Sequence, residues 1–258
     1  MSQPLILMYH QVDRPRSKRE HRFCTPPDEF NYQMAWLIES GYTAVGLNDM
    51  VSYVSNNGDL PDKAVHITFD DGFIGVLEHA FPALKKHGIP ATLFALSGRT
   101  GATNDWMWQR GFPQRPLLSR EQLRMLAEEG MVIGSHTRTH AKLTEISIDQ
   151  AKSEIVDSKK ELEDIIGKEV AHFAYPYGLF NSTVRDLIEH AGYSSACSTR
   201  SGFNRIGEDK YLLRRIDVFG TDRLWQFRQK LRFGVNEATR LKPLAYYANR
   251  IVSKLGMG

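Results

Sequence analysis

The sequence predicts an α/β fold in which a parallel sheet is covered by helices. Two observations carry that prediction. Short apolar runs, rich in Val, Ile, Leu and Phe, alternate along the chain with longer segments of helical period. A parallel pair of strands needs a crossover connection, and a helix is the usual one. No internal repeat or low-complexity linker interrupts the pattern, and 258 residues are enough for one barrel-sized domain with a substantial core. The pattern alone leaves a doubly wound sheet and a barrel as alternatives.

The elements follow in order. Residues 5–10 read as the first strand. Thr25-Pro26-Pro27-Asp28 opens a helix whose Phe30, Met34, Leu37 and Ile38 share a face, and Gly41 ends it. Residues 42–45 are strand-like, and 48–55 form a short helix before the Asn56-Asn57-Gly58 turn. A buried strand at 64–67 leads to a helix over 73–87. A strand at 90–96 follows, then a loop over 97–118 rich in Gly, Arg and Trp. Ser119-Arg120-Glu121-Gln122 is a capping box for a helix reaching Glu129. After a strand at 131–135, a second capping box, Ser147-Ile148-Asp149-Gln150, opens a long helix lined by Ile148, Ala151, Ile155, Leu162 and Ile165. Strands at 171–175, 193–198 and 211–218 and a helix at 181–191 complete the domain, which spans 1–220. Residues 221–258 read as a basic helical C-terminal extension packed on or near it.

Composition narrows the function. Apolar content of 41% and charged content of 24% suit a soluble globular protein. No signal peptide or membrane-spanning run is evident, and Cys24 and Cys197 are too few for a disulfide framework, so the expectation is a cytoplasmic protein with free thiols. Nucleic acid is disfavoured, because no phosphate loop is present and the basic residues lack regular aromatic interleaving. From Arg223 onward eight basic residues face Glu237 alone, with Trp225, Phe227, Leu231, Phe233 and further apolar residues between them. That mixture allows peripheral contact with an inner membrane surface. Packing of the apolar residues on the barrel is the alternative. Oligomeric state is left open.

The chemistry gathers at strand ends. Thr68-Phe69-Asp70-Asp71-Gly72 follows the strand at 64–67. Two adjacent carboxylates repel unless a cation divides their roles, one ligating and the other free as a base. The further ligands stand in His136-Thr137-Arg138-Thr139-His140, just past the strand at 131–135. Two imidazoles and one carboxylate make a ligand set with open positions, which accepts zinc, iron, cobalt or nickel.

These motifs resemble those of the polysaccharide deacetylases (NodB-homology, carbohydrate esterase family four). Thr-Phe-Asp-Asp-Gly stands intact at 68–72, and His-Ser/Thr-x-x-x-His stands at 136–140. A third motif, usually Arg-x-Pro-Tyr-Gly, appears as Ala174-Tyr175-Pro176-Tyr177-Gly178. Met8-Tyr9-His10-Gln11-Val12 is similar to the branch that acts on exopolysaccharides, including poly-N-acetylglucosamine deacetylases. The resemblance implies a distorted (β/α)7 barrel and metal-dependent removal of N-acetyl groups from an amino-sugar saccharide. It implies Asp71, His136 and His140 as ligands of one divalent ion, zinc first, and Asp70 as general base. Backbone N–H groups of the Tyr175 loop would bind the oxyanion.

The chain departs from the commoner pattern twice. No His follows His190, so the late general acid of many members is missing, and His10 is the expected replacement. Ala174 stands where an Arg usually orients the base, and Arg215 is the candidate for that role. Tyr175, Tyr177, Phe73, Trp106 and Trp108 are the candidate substrate-binding residues, since flat rings stack on pyranose faces. A cytoplasmic enzyme of this kind would meet a nucleotide-linked or lipid-linked saccharide precursor in envelope or exopolysaccharide synthesis. Two alternatives remain at this stage. One is a C–N hydrolase acting on a non-sugar amide, and the other a carbohydrate-binding module whose catalysis has lapsed.

Overall fold

The structure, a computed structural model, describes residues 3–239. Seven strands follow one another round a curled sheet in which every pairing is parallel. β1 (Leu5–Tyr9) lies beside β5 (Ala64–Phe69), followed by β6 (Ala91–Ala95), β7 (Val132–Ser135), β8 (His172–Ala174) and β9 (Ser195–Cys197), with β10 (Ile216–Asp217) on the far side of β1. The segment 213–217 joins the two edges. Leu213 bridges Cys197 of β9, and Ile216 pairs with Leu7 of β1. The result is a distorted (β/α) barrel. β4 (Thr43–Ala44) pairs with the first two residues of β5, below the point where β6 takes over. A separate two-stranded sheet, β2 (Gln11–Val12) with β3 (Cys24–Thr25), sits beyond the end of β1.

The expected strand over 211–218 is shorter than its sequence suggests. Lys210–Leu212 turns as a 3₁₀ helix, and only Ile216–Asp217 joins β1. One segment must leave β9 and reach β1, so it cannot stay in register with either for long. β1 and β5 are buried along their whole length, which explains the continuous apolar sequence of β1, while His66 and Thr68 in β5 are buried with hydrogen-bond partners.

Seven α-helices surround the described barrel: α1 (Pro27–Glu39), α2 (Leu47–Val54), α3 (Phe81–His87), α4 (Arg120–Glu128), α5 (Ile148–Ile166), α6 (Ser182–His190) and α7 (Leu224–Phe233). The α1 stripe is Phe30, Gln33, Met34 and Leu37, and Ile38 is exposed. Gln33 takes an inward place because Tyr9 Oη donates to its Oε1 at 2.7 Å. The helix expected from Phe73 starts later, with a wide turn at Val76–Ala80 before α3. Pro82 has no N–H for the α-helical ladder, and the wide turn absorbs the break. Both expected capping boxes form, on α4 and on α5, although Ile148 itself is exposed. Cys24 and Cys197 are both buried and unbridged.

α7 corrects part of the reading of the basic extension. Phe227 and Leu231 enter the main core. Lys230 is not a surface charge: it is 1% exposed, donates to Asp217 O at 2.8 Å and pairs with Asp222. The stretch 240–258, on which most of the membrane reading rests, lies outside the described residues. No helix among the described residues is long and apolar enough to cross a membrane.

Two histidines are built into the barrel wall as neutral groups. His66 Nδ1 bonds Val45 O at 2.8 Å and its Nε2 bonds Thr92 Oγ1 at 2.9 Å. His172 Nδ1 bonds Ser195 Oγ at 2.9 Å. Burial pushes both down to about 4. Above the usual imidazole pKa both are neutral in either state and contribute no pH dependence. As pH falls through that value, the unfolded chain takes up protons that the folded chain refuses. Stability should therefore decline between pH 6.5 and about 4, on the order of 3 kcal/mol per histidine at the lower end. Urea midpoints measured across that window check this, and a flat profile would contradict it.

Candidate active site

The site is made where β5 and β7 end. Asp70 N–H still donates to Tyr9 O at 3.0 Å, so the ladder holds the first carboxylate in line with β5. Asp71 then turns into the left-handed region (φ 74), and Gly72 follows at φ 79. After β7, His136 N–H donates to Ala95 O at 2.9 Å, and the chain reverses through Thr137 (φ 71) and His140 (φ 65). Thr137 Oγ1 accepts from His140 N–H at 3.0 Å and closes that turn. Glu154 of α5 grips the loop from below, accepting from Arg138 N–H at 2.8 Å, Thr139 N–H at 2.9 Å and Thr139 Oγ1 at 2.7 Å. Of six non-glycine residues with positive φ among those described, four are Asp71, Thr137, His140 and Tyr177. Such strain concentrates where a site over-determines the backbone.

The reversal brings Asp71, His136 and His140 together, with one ligand atom from each within 4.8 Å of the others. Asp71 Oδ1 lies 3.3 Å from His140 Nε2 and 3.6 Å from His136 Nε2. A tetrahedral ion with ligand bonds of about 2.0–2.2 Å separates its ligand atoms by roughly 3.3–3.6 Å. His136 Nδ1 is 2.8 Å from Ala174 O, so it carries the proton and leaves the Nε2 lone pair facing Asp71. Burial pushes His136 down to about 4, which keeps the ring neutral as a ligand must be. Asp71 Oδ1 is buried with no hydrogen-bond partner. A buried orphan oxygen facing two imidazole nitrogens fits a divalent cation.

Asp70 has a different partner. Arg215, wholly buried, donates from Nη1 to Asp70 Oδ1 at 2.6 Å and from Nη2 to Oδ2 at 2.8 Å. Its Nε donates to Ser198 O at 3.0 Å, so the guanidinium is held at both ends. Burial alone would raise the Asp70 carboxyl, but the charge and paired hydrogen bonds of Arg215 outweigh it and hold it below the usual carboxylate range. Arg215, the candidate for orienting Asp70 in the absence of an Arg at Ala174, thus reaches it from the segment just before β10.

A cavity of about 270 Å³ opens over these groups, and His10, Phe73, Trp106 and Tyr177 line it with them. Trp106 stacks on the His140 ring at 5.1 Å and 24°, and Tyr177 meets the same ring in a T-shaped contact at 4.4 Å and 73°. The other two substrate-binding candidates sit differently. Tyr175 lines the cavity too, but its ring is wholly buried and tilted against Phe180, and its hydroxyl donates to Tyr211 O at 3.0 Å. Trp108 is exposed and does not line the cavity. The Tyr175 N–H is also spent, donating to Cys197 O at 3.1 Å. Sequence reasoning missed Glu154, whose helical spacing gives no hint of the loop it grips. It also missed Phe23, Arg110 and Phe112, cavity residues on loops without a motif.

One zinc ion per chain should bind in equilibrium dialysis. His140→Ala and Asp71→Asn should each weaken that binding at least 10-fold while Asp70→Asn retains it. Equal weakening in all three variants would contradict the division of roles between the two carboxylates.

Comparison with known proteins agrees with this geometry. A family model described as polysaccharide deacetylase matches residues 57–196, a span that contains Asp70, Asp71, His136 and His140. The poly-beta-1,6-N-acetyl-D-glucosamine N-deacetylase of Staphylococcus epidermidis is 33% identical over 234 residues, covering 83% of this chain and 78% of that protein. The structure of IcaB from Ammonifex degensii matches with a TM-score of 0.77 at 27% identity, over 91% of this chain and 97% of that one. The Streptococcus pyogenes deacetylase PplD, in complex with acetate, matches with a TM-score of 0.72 at 27% identity, over 84% and 92%. Since the matched span is more than half of the chain and holds both strand-end motifs, the chain belongs to the polysaccharide deacetylase family.

Proposed function

We propose that this protein is a metal-dependent hydrolase that removes N-acetyl groups from an amino-sugar-containing saccharide in cell-envelope or exopolysaccharide synthesis. The observation that carries this reading is the division of labour at 70–71, where one carboxylate is clamped by Arg215 and its neighbour faces two imidazoles. Asp71, His136 and His140 would hold the ion, with zinc the first candidate for an N,N,O set. Such an ion lowers the pKa of a water and polarises an acetyl carbonyl. Relatives named as poly-beta-1,6-N-acetyl-D-glucosamine N-deacetylases support the N-acetyl sugar.

The remaining roles belong to the chain's own groups. Asp70 stays ionised and aimed, and takes a proton from the attacking water. The oxygen adds to the acetyl carbon, and the charge that develops on the carbonyl oxygen needs a donor. Tyr175 N–H is committed and Pro176 has none, so Tyr177 N–H is the amide of that loop assigned to the oxyanion. His10, partly buried at the cavity wall, protonates the departing amine as the C–N bond breaks and acetate leaves. Trp106 and Tyr177 shape the sugar-side wall. The Asp70–Arg215 pair disfavours a lapsed binding module, since metal binding alone has no use for a clamped spare carboxylate. A cytoplasmic location, consistent with two buried unbridged thiols, belongs to the same proposal.

Acetate release from N-acetylglucosamine oligomers tests these roles. Asp70→Asn should lose turnover on the order of 10²-fold or more with zinc content intact, and His10→Ala should lower kcat with a smaller effect on KM. Near-normal turnover in either variant would remove that residue from the mechanism.

A further inference from the structure

One stretch beside the cavity has a charge pattern that the chemistry above does not use. It reads Asp13-Arg14-Pro15-Arg16-Ser17-Lys18-Arg19-Glu20-His21-Arg22. Its two carboxylates turn inward onto one residue, Arg115, which is 1% exposed. Arg115 donates from Nε to Glu20 Oε1 at 2.6 Å, from Nη2 to Glu20 Oε2 at 2.8 Å and from Nη1 to Asp13 Oδ2 at 2.6 Å. Its Nη2 also donates to Arg14 O at 2.8 Å. This buried network staples the stretch to the loop at 110–115, and Glu20, Phe23, Arg110 and Phe112 all line the cavity.

With the acids turned in, the cations face out. Arg14, Arg16, Lys18, Arg19 and Arg110 are exposed, and among the described residues none of them forms an ion pair, whereas Arg22 pairs with Glu237 at 2.7 Å. Two of them bond backbone carbonyls of the loop at 110–115, contacts that leave their charge unneutralised. The Arg19 guanidinium donates to Arg110 O, and the Arg16 guanidinium to Gln114 O at 3.5 Å. Arg110 itself lines the cavity with its guanidinium 5.5 Å from the Phe112 ring centre. A cationic lip gains no net charge attraction from a neutral N-acetylated glycan. It repels the product, because each deacetylation creates an ammonium group. The same lip attracts a phosphate, which arginine recognises through paired donors.

We propose that the substrate carries a phosphate or diphosphate group, bound at the lip by Arg19 and Arg110 while the N-acetyl group reaches Asp70 and the ligand cluster. This rests on the deacetylase reading and names the substrate class within it. A nucleoside diphosphate sugar and a polyprenyl diphosphate sugar both present that group.

The test compares an uncharged N-acetylglucosamine trisaccharide, UDP-N-acetylglucosamine and a short-chain polyprenyl diphosphate N-acetylglucosamine. Acetate release is measured with the zinc-loaded enzyme, and binding with the Asp70→Asn variant by calorimetry. At least one diphosphate should exceed the trisaccharide in kcat/KM and in affinity by about tenfold or more, and that advantage should shrink as salt rises. Which diphosphate wins separates the two sources. Arg19→Ala/Arg110→Ala should abolish the advantage through KM, and Arg19→Lys/Arg110→Lys should restore part of it. Diphosphate-selective binding without acetate release from any substrate keeps the lip assignment and overturns the deacetylase reading. Acetate release with no diphosphate preference, or an equal loss on all substrates in the double-alanine variant, overturns the lip assignment.

Discussion

The bidentate pair between Arg215 and Asp70 is the interaction on which the site depends. Two adjacent carboxylates at a strand end need separate counter-charges. Arg215 supplies one from inside the barrel, and the imidazole pair faces the other. The pair is wholly buried, so its worth lies in geometry more than in net stability. Thr68 Oγ1 and Ser198 O take further donors of the same guanidinium, which leaves Asp70 one orientation. The pair also spans the seam of the barrel, joining the segment that follows β9 to β5.

The parallel sheet explains why these groups meet. Its strands all end at the same rim, so residues after β5 and β7 are neighbours despite 64 intervening positions between Asp71 and His136. Left-handed turns at Asp71, Thr137 and His140 then bend three side chains toward one point. The capped helix α5 answers that strain through Glu154, and the rings of Trp106 and Tyr177 both pack against His140.

Much of this was legible in the sequence because it is written in short local motifs. Asp70-Asp71 and His136 to His140 each follow an apolar run, so strand-end placement followed from pattern, and the alternation of elements followed from period. Arg215 was legible for a different reason: Ala174 left a buried carboxylate without its usual partner, and the segment around Arg215 runs toward the same rim, although the strand itself begins only at Ile216. What escaped was set by contacts distant in sequence. Tyr175 looked like a sugar-stacking ring until Tyr211 O, 36 residues later, claimed its hydroxyl. Lys230 looked like surface charge until Asp222 and Asp217 O drew it inside. The network of Arg115 with Glu20 and Asp13 joins loops about a hundred residues apart, and no periodicity marks it.

The central claim is that Arg215 serves Asp70 and that both act as one unit. A double-mutant cycle with Arg215→Met and Asp70→Asn, read in urea stability and in acetate release, tests it most directly. Arg215→Met alone should cost about 3–5 kcal/mol, because it strands a buried charge. Adding Asp70→Asn should recover a large part of that loss, and turnover in the double variant should be no lower than in the worse single variant. Additive losses in both stability and turnover would contradict the account.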